Sequence, residues 1–475
     1  MKNSFTHTSG LTVTKSMEPF LLDLYQTTGT SLISLIEGLG SSNFGIKSIT
    51  KCAKDLRQFK LNHLNPSNSK LYIDSSGYSL IKGDIAAFSI TKFISYYNHY
   101  LENEYTTYDH IFSLDIGGFI KDVASNTIEN IYDLNKRSLT GSIKVIKENP
   151  IIKEKFIFVL HFKDPKQYQI FDKLYDELEV YNYSNNFSIG GMVSLNTHTN
   201  SSLNFAPFIG PSFWAFYQYM THSQFKYPFK LHFLGVYWKS FRFVAFFLEQ
   251  LFNSYLVNFN QHCEMTYDSV NYGLTALYKA QVGFPCYNLN LDLEEYDNIF
   301  DVPNNIIDKI YRTDISKNIF QENLALAKAN KRLTNLNYLL NLNVYSQLQL
   351  DRFFEYIIEK HKLIDLLLYS HEYQNYKYFK SNSDFILFNL PAKYKAISNL
   401  HIKQIQKSLR YIFAFHDWVV KDQTKTQLDK LISQFITNID FKYSLSSEET
   451  IPEPANLQDI VKNLKPVQTK NKNIL

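Results

Sequence analysis

Between residues 70 and 290, short runs with strand character alternate with stretches long enough for a helix, and no other feature limits the fold so closely. The runs are 71–74, 111–115, 156–161, 187–191, 231–236 and 265–268. Consecutive parallel strands need a crossover connection, usually a helix, and residues 164–178 and 240–257 suit such helices. The spacing, roughly 30 to 45 residues, is uneven, so several connections must carry more than one plain helix. Two further strands are expected before residue 70, with 36–44 as a candidate for one of them. Six runs and two more make the count of a (β/α)8 TIM-type barrel with insertions, an α/β fold whose working groups sit at the carboxyl ends of its strands. A doubly wound open sheet has the same alternation, but no Gly-rich dinucleotide loop accompanies it here.

Three of these runs lead to an aspartate. Asp74 stands in Leu71-Tyr72-Ile73-Asp74-Ser75-Ser76-Gly77-Tyr78, Asp115 in Phe112-Ser113-Leu114-Asp115-Ile116-Gly117-Gly118, and Asp268 in Met265-Thr266-Tyr267-Asp268-Ser269. One aspartate after a strand is commonly a helix N-cap. A carboxylate placed where a buried strand emerges is costly to desolvate unless something offsets the cost, so three in matching positions point to one shared site.

Beyond residue 300 the pattern changes to long helical periodicity, over 318–329, 333–348, 350–369 and 401–412. The expected division is a barrel over 1–300, a helical carboxyl-terminal region over 301–443 and a mobile tail over 444–475. Between Val180 and Phe225 there is no Asp, Glu, Lys or Arg, although aromatic residues abound, as in Phe213-Trp214-Ala215-Phe216-Tyr217. This stretch is expected to be a long, partly buried insertion beside the site; a surface for stacking unpaired bases is the alternative.

Composition sets looser bounds. The chain holds 38 Phe and 34 Tyr, usage that an AT-rich coding genome explains and that base-stacking surfaces would also explain. A net charge of +4 permits a nucleic-acid partner without requiring one. Cys52, Cys263 and Cys286 form no CxxC pair and no even disulfide framework, which points to a reducing compartment. The amino terminus lacks the apolar core of a secretory signal, and the most apolar long window, 241–257, contains Arg242 and Glu249. A cytoplasmic protein with no membrane span is therefore expected.

Taken in order, the runs resemble the tRNA-guanine transglycosylase superfamily, most closely its DNA-modifying branch, the 7-deazaguanine DNA transglycosylases of phages and bacteria. Asp74-Ser75-Ser76-Gly77-Tyr78 is similar to the family's Asp-Ser-Gly-Gly-Phe/Tyr motif, and Leu114-Asp115-Ile116 to its purine-recognising Leu-Asp-Ile/Val segment. Ile189-Gly190-Gly191-Met192 resembles its Ile-Gly-Gly-Leu loop, Phe233-Leu234-Gly235-Val236 its Leu-Met-Gly-Val strand, and Asp268 falls where the family places its nucleophile. The resemblance covers residues 70–345. It departs from the family at the zinc module, because Cys263 and Cys286 cannot supply Cys-x-Cys-x-x-Cys and Thr334-Asn335-Leu336 stands in place of His-Asn-Leu. The stretch between Val236 and Asp268 is also longer than usual. No structural zinc, no other metal and no cofactor are expected.

The resemblance implies exchange of guanine in DNA for a 7-deazaguanine base such as 7-cyano-7-deazaguanine, with the target nucleotide turned out of the duplex. Retention at the sugar's C1′ requires two displacements, the logic by which retaining glycosidases use a carboxylate nucleophile and a second acid/base. Asp268 is expected as nucleophile and Asp74 as proton shuttle. Asp115 would accept hydrogen bonds from the guanine edge, and His161, where the tRNA enzymes carry a Gln, would bond O6 or a 7-substituent; alone, such a His is a packing residue. Gly190 and Gly191 would let backbone amides approach the base; without the resemblance they are a tight turn. Tyr78 would stack on the base and Leu234 cover its other face, with Ser75 and Gly235 also lining the site. A tRNA-guanine transglycosylase and a non-catalytic nucleic-acid-binding barrel are the alternatives, and the oligomeric state is left open.

Overall fold

The computed structural model describes residues 6–11, 30–34, 70–75, 90–114, 116, 128–161, 165–190, 205–236, 238–269, 300, 302–329, 340–393, 401–421 and 424–437. The architecture is α/β. Its strands are β1 (Thr6–Leu11), β2 (Thr30–Ser34), β3 (Lys70–Asp74), β4 (His110–Phe112), β5 (Phe156–Leu160), β6 (Asn186–Ile189), β7 (Phe229–Phe233) and β8 (Cys263–Ser269). From β3 to β8 each pairs in parallel with the next, making a six-stranded parallel sheet. The pairings β2–β3, β1–β2 and β1–β8 join its two edges into a closed ring. Carried strand by strand from Thr6, the registers lead to position 258, whereas Thr6 pairs directly with Thr266; 266 minus 258 is a stagger of eight residues.

The two strands expected ahead of residue 70 are thus Thr6–Leu11 and Thr30–Ser34. The candidate segment 36–44 lies outside the described residues. THTSGL and TSLIS lack the apolar runs that mark the other strands, and only their neighbours in the ring reveal them. Strand ends also shift by one to three residues from the expected runs; β4, for example, stops at Phe112.

Alternation along each strand separates two apolar environments. Leu71, Ile73, Ile111, Phe156, Phe158, Leu160, Phe187, Ile189, Phe229, Leu231, Phe233, Met265 and Tyr267 face outward into the large core shared with the helices. Their neighbours Tyr72, Phe112, Ile157 and Val159, with Leu234, form a separate small cluster inside the ring. A parallel sheet covered on its outer face leaves its polar residues this inner side, which is where His110, Ser188, His232, Thr266 and Asp268 belong by the same alternation.

Helices fill the connections: α1 (Ile90–Asn103), α2 (Ile128–Glu148), α3 (Pro165–Leu178), α4 (Ala206–His222) and α5 (Lys239–Leu256). Within the stretch expected to be an insertion between Val180 and Phe225, residues 186–189 form β6 and residues 206–222 form α4, the helix before β7, while 191–204 lie outside the described residues; α4 itself lacks charge because it is covered on both sides. Phe208 stacks on Phe233 of the sheet at 4.4 Å, while Phe213 lies parallel to Phe415 at 4.0 Å. Phe208, Phe213, Trp214 and Phe216 are all fully buried, so none offers a surface for bases. Burying each such aromatic stabilises the fold by about 1.5–3 kcal/mol.

The carboxyl-terminal helices are α6 (Asn304–Ile310), α7 (Asp314–Lys328), α8 (Leu340–Lys360), α9 (Leu363–Glu372), α10 (Tyr376–Lys393), α11 (Ile402–Val420) and α12 (Lys425–Ile436). The helix break expected near residue 349 falls instead at Lys362, whose φ of 47° turns the chain left-handed between α8 and α9. Helices α6, α10 and α12 were not anticipated; α12 opens with a Thr424–Gln427 capping box. Helix α8 packs on α5 and β1, α11 on α5, and α12 on α4, so one apolar core runs from Leu71 to Ile436. Residues 444–475 lie outside the described residues. Among the described residues, no helix is long and apolar enough to cross a membrane.

Candidate functional site at the carboxyl ends of the strands

Asp268 lies on the inward face of β8, only 5 % exposed. Burying a carboxylate there requires donors, and two are present. The chain leaves β7 through Gly235, whose φ of 73° is a conformation that side-chain-bearing residues rarely adopt. This turn aims the Gly235 N–H at Asp268 Oδ1, 2.8 Å away. His232 Nε2 lies 3.3 Å from the same oxygen, and His232 Nδ1 lies 2.7 Å from Thr266 Oγ1. The tautomer with its proton on Nε2 satisfies both contacts, donating to Asp268 and accepting from Thr266. Oδ1 is thereby anchored, while Oδ2 accepts no hydrogen bond from any described residue.

Beneath this carboxylate the interior is packed. Tyr72 reaches across from β3 to stack on His232 at 5.7 Å, and Phe112 approaches the same imidazole at 4.7 Å. His110 lies against Tyr72 at 4.7 Å, and its burial, with Lys70 and Lys230 nearby, lowers its pKa to about 3, so it is neutral. Lys230 and Glu264 pair at 3.5 Å toward the amino ends of β7 and β8. These side chains fill the ring between Asp268 and the amino ends of the strands.

Asp74 is the last residue of β3, two positions beyond Tyr72 and therefore on the same inward face, and it is half-buried. Ser75, which follows, is fully buried. On the far wall His161 and Gly190 end neighbouring strands, joined by the Gly190 N–H to Leu160 carbonyl bond of 3.0 Å. A Cβ at residue 190 would lie 2.5 Å from His161 Cε1 and 2.7 Å from Val159 Cγ1, so the imidazole occupies the space that a glycine alone leaves open. The His161 ring is 2 % exposed and backs onto Phe171 at 6.0 Å. Leu234 completes this wall as part of the inner apolar cluster.

Of the residues singled out in the sequence, Asp74, Ser75, His161, Gly190, Leu234, Gly235 and Asp268 therefore occupy the same end of the ring. Asp115, Gly191 and Tyr78 lie outside the described residues. His232, Thr266 and Tyr72 belong to the site and were not anticipated. Their signal is present in Phe229-Lys230-Leu231-His232-Phe233, where polar residues alternate with apolar ones and so share the inner face.

No group of three His, Cys, Asp or Glu side chains that would hold a metal occurs among the described residues. Cys263 is buried on the outward face of β8, and burial pushes its thiol well above the ordinary range. An acid-lined cleft of about 460 Å³ between α3 and α12, bordered by Tyr168, Asp172, Asp176 and Asp429, lies on the outer helical wall and not at the strand ends. Two of its carboxylates are engaged, since Lys425 bonds Asp172 at 3.0 Å and Asp429 at 2.6 Å. No known family model matches the chain, and no curated protein matches its sequence.

Proposed function

We propose that the chain is a base-exchange transglycosylase of the tRNA-guanine transglycosylase type, replacing guanine in DNA with a 7-deazaguanine on a TIM-type (β/α)8 barrel. The stagger of eight residues around eight parallel strands supports the barrel assignment, because it is the shear of that fold. The observation that carries the function is Asp268: a buried carboxylate at the carboxyl end of β8 with Oδ1 held by Gly235 and His232 and with no hydrogen bond to Oδ2 from any described residue.

In this reading Asp268 Oδ2 attacks C1′ of an extruded deoxyguanosine, the N9–C1′ bond breaks, and the base departs with a proton supplied by Asp74. The incoming 7-deazaguanine gives its N9 proton to Asp74 and attacks C1′, and the bond to Asp268 breaks, restoring the original configuration. Two inversions require the nucleophile to hold its position through both steps, which the anchored oxygen provides. In this reading the purine edge lies along the Gly190–His161 wall.

The test is incubation with labelled guanine and, separately, duplex DNA, single-stranded DNA and tRNA, followed by nucleoside analysis. Label entering DNA and lost in Asp268→Asn, with DNA binding retained, is the expected result. Label entering tRNA alone moves the assignment to a tRNA enzyme, and binding without exchange by the unaltered protein makes it a non-catalytic barrel.

A further inference from the structure

We propose that helix α8 belongs to the catalytic unit: its Asp351, with Arg242 of α5, grips Tyr267 and thereby sets the position of Asp268, the next residue along β8. The proposal rests on the reading of Asp268 as the nucleophile. Consecutive residues of a strand point to opposite faces, so whatever fixes the outward side chain of Tyr267 also fixes the height and rotation at which Asp268 enters the ring.

The grip is built from three buried side chains. Tyr267 is fully buried, and its hydroxyl donates to Asp351 Oδ2 across 84 residues of sequence. Asp351 Oδ1 pairs with Arg242 Nε at 3.0 Å, and the Arg242 guanidinium lies over the Tyr267 ring at 5.6 Å. Asp351 and Arg242 are 4 % and 2 % exposed. The preceding part of β8 is held from the same side. Pairing with β1 begins only at Thr266, and side chains of α5 meet the earlier amides: the Cys263 N–H donates to Asn253 Oδ1 at 2.8 Å, and the Met265 N–H to Glu249 Oε1 at 3.2 Å.

Stability alone is a poor reason for such an arrangement, since replacing a buried ion pair with apolar side chains of similar volume is often neutral or stabilising. Directional bonds do what apolar packing does not: they define one orientation of the strand. Tyr267, Arg242 and Asp351 are accordingly positioning residues. They also give the carboxyl-terminal region a part in the reaction, because Asp351 comes from α8.

The test compares Tyr267→Phe with Tyr168→Phe in the full chain. Tyr168 makes the same kind of bond, 2.5 Å to Asp429, but between α3 and α12 on the outer wall. Two readouts are taken: kcat and KM for base exchange, and hydrogen–deuterium exchange of the Gly235 amide, which donates to Asp268. Tyr267→Phe is expected to lower kcat about 10-fold with KM for DNA unchanged, and to speed Gly235 exchange about 5-fold or more. Tyr168→Phe should leave both unchanged while lowering the thermal midpoint comparably. If Tyr267→Phe leaves Gly235 protected, or if both variants lose activity in proportion to lost stability, the proposal falls. Should Tyr267→Phe fail to fold, Asp351→Asn, which removes the charge paired with Arg242 and weakens the acceptor of Tyr267, is expected to speed Gly235 exchange likewise, and unchanged Gly235 protection in it overturns the proposal. If the unaltered protein exchanges no base at all, the functional reading fails, and Gly235 protection still decides whether Tyr267 positions Asp268.

Discussion

Gly190→Ala, alone and combined with His161→Ala, probes the site wall most directly. The added methyl would sit 2.5 Å from His161 Cε1 and 2.7 Å from Val159 Cγ1, where ordinary contact begins at 3.4 Å. The imidazole must therefore recede by about 1 Å, yet it is 2 % exposed with Phe171 behind it. Overpacking of this kind costs about 1–3 kcal/mol. A smaller gain, about 0.4–1 kcal/mol from the restricted unfolded chain, offsets part of it. A net loss of about 1–2 kcal/mol is expected from urea unfolding of Gly190→Ala. In His161→Ala the ring is gone and only the Val159 contact remains, so the methyl should cost at least about 1 kcal/mol less in the double variant. On the proposed function, base exchange should follow the same order, with Gly190→Ala impaired because the displaced ring intrudes on the site. If the two substitutions add to within about 0.5 kcal/mol, residues 161 and 190 do not meet, and the wall described here is wrong.

If the proposed base exchange is right, removing the second donor to Asp268 by His232→Leu should lower kcat about 10- to 100-fold with DNA binding kept, and His232→Gln should recover part of it; steady-state kinetics with unchanged kcat would remove His232 from the site. Burial, opposed by Arg242 and by the Tyr267 hydroxyl, pushes the Asp351 carboxyl up to about 6. A raised folded-state pKa means that its contribution to stability is fully present below the ordinary value near 4 and is lost as pH rises through 6, about 3 kcal/mol in all. Urea midpoints of Asp351→Asn should lack that fall, so the gap between the two proteins should move in the variant's favour from pH 4 to 7. Phe415→Ala opens a space between Phe213, Phe252 and Trp418 and should cost about 3–5 kcal/mol by denaturant titration; a loss below about 1 kcal/mol would contradict the packing of α11 on α4. With Cys52 and Cys286 replaced by serine, the remaining Cys263 thiol should resist a disulfide reagent until urea unfolds the chain; rapid labelling of the native protein would refute its burial.

The strands β3 and β5 to β8 and the helices α3 and α5 were legible because each depends on residues a few positions apart. Apolar runs such as Phe156-Ile157-Phe158-Val159-Leu160 declare a buried strand without knowledge of its partners. Asp74 and Asp268 could be noticed for the same reason, each being a charge at the end of such a run. His232 was legible in principle, since its alternation with Phe229, Leu231 and Phe233 already assigns it to the opposite face.

What lay beyond local pattern was decided by contacts between distant residues. THTSGL and TSLIS become strands because β3 and β8 offer them hydrogen-bonding edges. The uncharged stretch from Val180 to Phe225 looked like an insertion because nothing nearby in the chain discloses that α11 and α12 will cover α4 from outside. Tyr267 meets Asp351, and the methyl-sized gap at Gly190 meets the His161 ring, only after the ring of strands has closed. Periodicity records which face of an element is apolar; the partner each face acquires is a property of long-range packing, and the surroundings of Asp268 are set there.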